Sequence, residues 1–307
     1  MGPGPDRHGN RAACDVAHPR RVPGMAENEV VSEANPEEIP EEIRVGVFGA
    51  AGRMGTAVCQ AVATDRALAL VAAVDPAHAG IDIRQVAGVS VPGLHVAPTA
   101  DALGAAGAAV AVDFTRAEAA MINARWCSEN GVHMIIGTSG LGDEDKAELA
   151  SLFGSKTGPN CIMAANFAIG AVLLMRFAEM AAPFFETAEI IELHHDGKAD
   201  APSGTALRTA ERMAAASTGW APDPTKDLVI EGARGGVGAG GIRVHSVRMR
   251  GMVAHQEVIL GTVGQTLTLR HDTIDRDSFM PGVLLAVKRV GSIPGLTIGL
   301  DALLGFG

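Results

Sequence analysis

The stretch from Glu192 to Ala206, ELHHDGKADAPSGTA, sets two adjacent histidines, a lysine, two aspartates and a Pro-Ser-Gly-Thr turn within fifteen positions. The run before it, AEIIELHH, reads as a strand, and in an extended chain the neighbours His194 and His195 face opposite ways. The two therefore do different jobs, or only one of them does any. A histidine titrates near neutrality and can deliver a proton at cellular pH. Lys198 is a fixed cation able to hold a carboxylate or assist the acid. Ser203, after Pro202, is a good helix N-cap. The N–H groups of Gly204 and Thr205, with the Thr205 hydroxyl, then form a small anion cradle. A proton donor beside a clamp for an acidic small molecule is one reading; a solvated polar loop with an ordinary N-cap is the other. His194, His195 and Asp196 are metal-ligand types, but strand neighbours splay apart and no H-x-x-x-H spacing occurs, so no metal is expected.

The whole chain frames that choice. With 35 Asp and Glu against 25 Lys and Arg, its formal net charge is -10, which speaks against broad capture of nucleic acid or an anionic membrane. An acidic protein that binds an acidic molecule must concentrate positive charge locally. At 307 residues there is room for two domains, and 47% hydrophobic with 20% charged residues is an ordinary globular profile. Cys14, Cys59, Cys127 and Cys161 are scattered without C-x-x-C spacing. That argues against a disulfide scaffold or thiolate zinc site and for a reducing cytoplasm. The longest apolar stretch, IMAANFAIGAVLLM, is too short to span a bilayer and is interrupted by Asn166.

The elements that position the chemistry begin at Ile43. Residues 1–42 are rich in Gly, Pro and charge and predict a disordered tail. They hold no apolar core for a signal peptide, Asp6 breaks the myristoylation pattern, and Met25 is an alternative start. IRVGVF then reads as a buried strand, followed by glycines at 49, 52 and 55 and an apolar-periodic helix from about Arg53. In such a turn Gly49 closes the strand, Gly52 lets backbone approach a pyrophosphate, and Gly55 lets helix and sheet pack closely. The helix start offers N–H groups to phosphates, and Arg53 is within reach. A second strand ends at Asp75, either a ribose-hydroxyl acceptor or a plain turn residue before Pro76.

Strand and helix alternate onward to Phe167, which predicts a Rossmann-type, doubly wound parallel sheet of the α/β class. Ligands of such sheets sit at the carboxyl ends of the strands. The loops there are Phe114–Thr115, Gly137–Thr138–Ser139 and Ala164–Ala165–Asn166–Phe167, each of which could also be a simple turn. Beyond Phe167 come a helix, the strand into the crowded loop, the helix from Ser203, a glycine-rich loop and three strand-like runs. They imply a second α+β domain with an open mixed sheet. The expected organisation is a cofactor domain over 43–166, a substrate and assembly domain over 167–275, and a C-terminal helix over 276–307 returning to the first domain.

VGVFGAAGRMG together with ELHHDGKADAPSGTA resembles the 4-hydroxy-tetrahydrodipicolinate reductase (dihydrodipicolinate reductase) family, from about Ile43 to Leu304. SVRMRGMVAHQEVILG and HDTIDRDSFMPGVLLA are similar to its later segments. Ala51 stands where the family turn often has Gly, and VAHQEV replaces a commoner Gly-Glu-His. The resemblance implies a cytoplasmic homotetramer that uses NADH or NADPH to reduce a small dianionic ring, with loss of water, on the way to lysine and diaminopimelate. It implies that His194 gives the proton, Lys198 assists, and His195, Gly204, Thr205 and Arg276 hold carboxylates. It implies cofactor contacts from Gly49, Ala50, Ala51, Gly52, Arg53, Met54, Asp75, Gly137, Thr138, Ser139, Ala164, Ala165, Asn166 and Phe167. Asp75 opposes a 2′-phosphate while Arg53 or His78 offsets that, so the choice between NADH and NADPH stays open. The rival readings are a related amino-acid dehydrogenase and a nucleotide-binding relative without catalysis.

Overall fold

The computed structural model describes residues 42–306; residues 1–41, and with them the expected tail, lie outside the described residues. The first part runs β1 (Ile43–Phe48), α1 (Arg53–Thr64), β2 (Leu68–Val74), α2 (Ile83–Ala87), α3 (Asp101–Ala105), β3 (Val110–Asp113), α4 (Ala117–Glu129), β4 (His133–Ile136), α5 (Asp143–Leu152) and β5 (Cys161–Met163). There follow α6 (Ile169–Ala181), β6 (Thr187–His194), α7 (Gly204–Ala216), β7 (Gly236–Val237), β8 (Arg243–Arg248), β9 (Ala254–Thr262), β10 (Gln265–Thr273), α8 (Met280–Arg289) and β11 (Leu296–Ile298).

Six strands form a parallel sheet in the order β11-β5-β4-β3-β1-β2. β1 is buried from Val45 to Phe48 because helices cover both faces, so its sequence is a continuous apolar run rather than an alternating one. α1 turns Gly55, Ala57, Val58, Cys59 and Val62 into the core, where α8 adds Val283, Ala286 and Val287. The chain leaves β1 toward β2 and later returns to the other side of β1 as β3. This reversal of strand order opens a crevice at the carboxyl ends of β1 and β3.

The second sheet has the order β10-β9-β6-β8-β7 and is mixed: β6 runs parallel to β8, while β6–β9, β9–β10 and β7–β8 are antiparallel. β6 alternates, so Ile190 and Glu192 share the covered face. That face packs against α6 and α7 through Ile190, Val244, Val258, Leu260, Leu174, Ala206, Ala210 and Met213.

Two expectations need correction. The segment 276–307 is not one helix: α8 stops at Arg289, and Leu296–Ile298 joins the first sheet as an edge strand beside β5. Three residues are too few for periodicity to reveal; the neighbouring strand supplies the reason for the extended backbone. Likewise the glycine-rich loop 232–241 contains a short strand, β7, made by pairing with β8 rather than by its own propensity.

Candidate active site

Four elements converge at the end of β6. Glu192 has no exposed surface, yet both carboxylate oxygens are fully engaged. Arg248 on β8 donates from Nη1 to Oε2 at 2.9 Å and from Nη2 to Oε1 at 2.8 Å. The Ser203 N–H donates to Oε1 at 3.1 Å, and Nδ1 of His194 makes a short contact with Oε2. Burial works against the charged carboxylate, but the hydrogen bonds from Arg248, Ser246 and His194 outweigh it and hold Glu192 below the usual carboxylate range.

His194 lies on the same covered face, with 17% of its side chain exposed, while His195 beyond the strand end is exposed. The two histidines do face different surroundings. Burial depresses the His194 pKa, Glu192 pulls it back up, and the cations Lys198 and Arg248 push it down. A dianion placed beside it would raise the pKa by favouring the imidazolium.

Lys198 donates to both oxygens of Asp200, at 2.7 and 2.8 Å. Asp200 is largely exposed, so a substrate carboxylate can compete for the ammonium. Arg248 also donates to the Asp200 carbonyl at 2.7 Å, which ties this loop to the buried pair. The Ser203 hydroxyl caps α7 by accepting from Ala206 N–H at 3.2 Å, leaving the first turn at Gly204 and Thr205 facing outward. Gly204 is exposed and Thr205 half-buried.

The two domains meet at this cradle. Asn166, after β5, donates from Nδ2 to the Thr205 hydroxyl at 3.5 Å. Ala164, Ala165, Asn166, Gly204 and Thr205 line one cavity of about 840 Å³, together with Arg176, Arg212 and Asp301.

A second cavity of about 850 Å³ sits at the strand-order reversal and is lined by Gly49, Gly52, Asp75, Phe114, Thr115, Asn123 and Trp126. Gly49 has φ +68°, a left-handed conformation that favours glycine. A Cβ on Gly55 would overlap the carbonyl oxygen of Gly49, so α1 lies directly on the turn. α1 has no side-chain cap at Gly52, and its first N–H groups remain available to an anion. Ala50 is buried beneath the turn, Ala51 and Met54 are half-buried, and Arg53 is exposed.

Asp75 takes the turn part of its two expected readings and also borders the cavity. One oxygen accepts from Ala77 N–H at 3.1 Å, and the other from Ala51 N–H at 3.3 Å. A glycine turn, an uncapped helix start and a carboxylate at the second strand end fit a nicotinamide dinucleotide.

Gly137, Thr138 and Phe167 sit at the ends of β4 and β5. Phe114 packs against Gly137 and Phe167, and Thr138 Oγ1 donates to buried Asp113 at 2.8 Å. Ser139 is exposed in the same loop. Arg276 is not brought to the cradle: it is exposed on a short turn that packs on α1 and α8.

Glu192, Arg248 and Asp113 were not singled out by sequence reasoning. The available signal was an acidic residue sharing the apolar face of a strand, as Glu192 does with Ile190. Nothing marked Arg248, whose partner lies 56 positions away.

A parallel sheet with a dinucleotide-type glycine turn, whose β5-end loop meets the start of α7 in a second sheet domain, is the architecture of a nicotinamide-dependent oxidoreductase. Residues 43–167 match the family described as dihydrodipicolinate reductase, N-terminus, and residues 170–304 match its C-terminus. The chain belongs to the dihydrodipicolinate reductase family. It is similar to the 4-hydroxy-tetrahydrodipicolinate reductase of Thermobifida fusca, with 49% identity over 268 residues covering 86% of this chain and 99% of that one. The enzyme of the same name from Cutibacterium acnes is 48% identical over 267 residues, with the same coverage. The solved structure of a dipicolinate-bound dihydrodipicolinate reductase from Paenisporosarcina sp. TG-14 matches with a TM-score of 0.74 and 38% identity, over 85% of this chain and 99% of that one.

Proposed function

We propose that this chain reduces 4-hydroxy-tetrahydrodipicolinate to tetrahydrodipicolinate, with loss of water, in lysine and diaminopimelate biosynthesis, and that the crowded loop is where the substrate sits. NADH or NADPH, when bound, supplies the hydride. The turn 49–54 and Asp75 hold the dinucleotide, and the loops 137–139 and 164–167 border it. His194 delivers the proton that the reduced ring requires. Lys198 supplies a cation beside it, and His195 with the Gly204–Thr205 turn holds the carboxylates.

The single observation that carries the reading is the Asn166–Thr205 hydrogen bond, which sets a strand-end loop of the cofactor domain against the anion cradle within one cavity. The test is the loss of reduced-nicotinamide absorbance with freshly generated substrate. His194→Gln should bind NADH like wild type and lose on the order of 100-fold or more in turnover, the scale of general acid catalysis. Wild-type rates in that variant would remove His194 from the role. Turnover with an oxo-acid plus ammonia, and none with the dipicolinate precursor, would favour an amino-acid dehydrogenase instead.

The same reading has a homotetramer built through the second sheet. Its support is the face of that sheet left uncovered by α6 and α7, and a loop exposing Leu228, Val229 and Ile230. Light scattering at several concentrations checks it, a monomer at all of them being the contrary result. The reading divides the chain at 166/167 and 275/276, supported by which strands share a sheet. It places the enzyme in the cytoplasm, consistent with free, buried Cys59, Cys127 and Cys161; no helix among the described residues is long and apolar enough to cross a membrane.

A further inference from the structure

The structure assigns a role to Glu192: we infer that it is a positioning residue that fixes the tautomer and direction of the His194 ring and locks that ring in register with the Lys198 loop and the anion cradle. The inference rests on His194 being the proton donor. An ionised carboxylate only accepts hydrogen bonds, so its contact with His194 requires a proton on Nδ1. Nε2 is then the nitrogen that faces away from the protein anchor. The transferable proton resides there when the ring is charged, and the anion behind the ring stabilises that charge.

Glu192 cannot turn to another partner. Each of its oxygens accepts at least two bonds, one of them from Arg248, and the side chain is wholly enclosed. The same two oxygens reach the other parts of the site. Ser203 N–H, which one of them holds, is the cap position of the helix whose next residues are Gly204 and Thr205. Arg248, which bridges both, also holds the Asp200 carbonyl and thereby the loop carrying Lys198. A displacement of Glu192 would move the acid, the cation and the cradle together.

The experiment is a double-mutant cycle on the full-length enzyme with Glu192→Gln, His194→Gln and both together, reading kcat, KM, NADH affinity and the pH profile of kcat/KM. Glu192→Gln should lower kcat on the order of 100-fold and leave NADH affinity within about twofold, since the dinucleotide turn lies in the other domain. In the His194→Gln background the same change should cost less than about threefold in kcat, the displaced cradle showing instead as a raised KM. The pKa of His194 in the profile should move down in Glu192→Gln. The groups facing that ring are then Lys198 from the loop and Arg248 from β8, both cations, with uncharged Ala254 opposite on β9.

Losses that multiply across the cycle would overturn the inference. Full activity of His194→Gln alone would instead overturn the underlying acid assignment, a different result. If Glu192→Gln fails to fold, long-range 1H–15N spectra of the wild-type histidine rings decide: an Nδ1-protonated His194 supports the role and an Nε2-protonated one ends it.

Discussion

The ring of Phe114, at the end of β3, fills the space that a Cβ on Gly137, at the end of β4, would need. Phe114 also lies 5.7 Å from Phe167, centroid to centroid, at a tilt of 59°. One aromatic pair thus ties the ends of β3, β4 and β5 together, and Phe114 forms part of the wall of the cavity at the strand-order reversal.

Gly137→Ala should therefore displace Phe114. Overpacking of this kind costs about 1–3 kcal/mol, which shows as a lower denaturation midpoint. The displaced ring should weaken NADH binding by roughly tenfold, equivalent to about 1.4 kcal/mol. Titration of cofactor fluorescence checks this, and unchanged affinity would mean that the ring does not shape the cavity.

Asp113 lies fully buried one residue before Phe114. It accepts from Thr115 N–H at 2.8 Å, Thr115 Oγ1 at 2.7 Å, Thr138 Oγ1 at 2.8 Å and Asn123 Nδ2 at 2.7 Å. Asp113→Asn turns one acceptor into a donor facing donors. A buried group left unpaired costs about 1–3 kcal/mol, and more where a charged bond is lost. The expected loss is on the order of 3 kcal/mol in chemical denaturation, with faster hydrogen exchange at Thr115 and Thr138. A variant as stable as wild type would show that the four donors find other partners.

The contrast between Gly55 and Asp113 marks what was legible in the sequence. Gly55 announces itself because a three-residue glycine spacing between a strand and a helix has a single steric purpose, and the structure puts it against Gly49. The alternation of strand and helix to Phe167 was readable for the same reason, since local periodicity determines it. Apart from their neighbours Thr115 and His194, Asp113 and Glu192 act through partners 10 to 56 residues away, and no local pattern encodes such a meeting. β11 and β7 exist because a neighbouring strand was already present to pair with. The crowded loop was visible as chemistry, while its internal anchors required the tertiary contacts of β8 and α7.

Acid should destabilise the enzyme well before its carboxylates protonate. Burial holds His133, His194 and His271 below the ordinary histidine value of 6.5. As pH falls below about 6.5, the unfolded chain takes up protons that the folded chain refuses, so stability drops, by at most about 1.4 kcal/mol per pH unit for each histidine. Above that pH the penalty vanishes. The contribution of Glu192, whose pKa is lowered, is present above its unfolded value of about 4.5 and is lost only as pH falls through its lower folded value. His133 is the clearest probe, because its Nδ1 accepts from Asn160 N–H at 2.9 Å. His133→Asn, which keeps an acceptor but does not titrate, should show a shallower fall in Tm between pH 7.5 and pH 5.5. An equal fall in both proteins would clear His133 of responsibility.

Arg212 on α7 joins the returning C-terminal segment to the second domain. It donates to Asp301 at 2.7 Å and to Glu179 on α6 at 2.7 Å. Burial opposes its charge, but these two carboxylates outweigh that and hold its pKa above the ordinary arginine value. Arg212→Met preserves much of the stem's packing but strands Asp301, whereas Glu179 retains Arg176 at 3.0 Å. The pair is part-buried, so the loss should be about 1–3 kcal/mol, concentrated in faster hydrogen exchange over residues 299–306 rather than in β1 or β3. Because the stranded charge is the cause, Asp301→Asn added to Arg212→Met should recover about 1 kcal/mol. Losses that simply add would mean that the segment is held by its apolar contacts, with the ion pair contributing little.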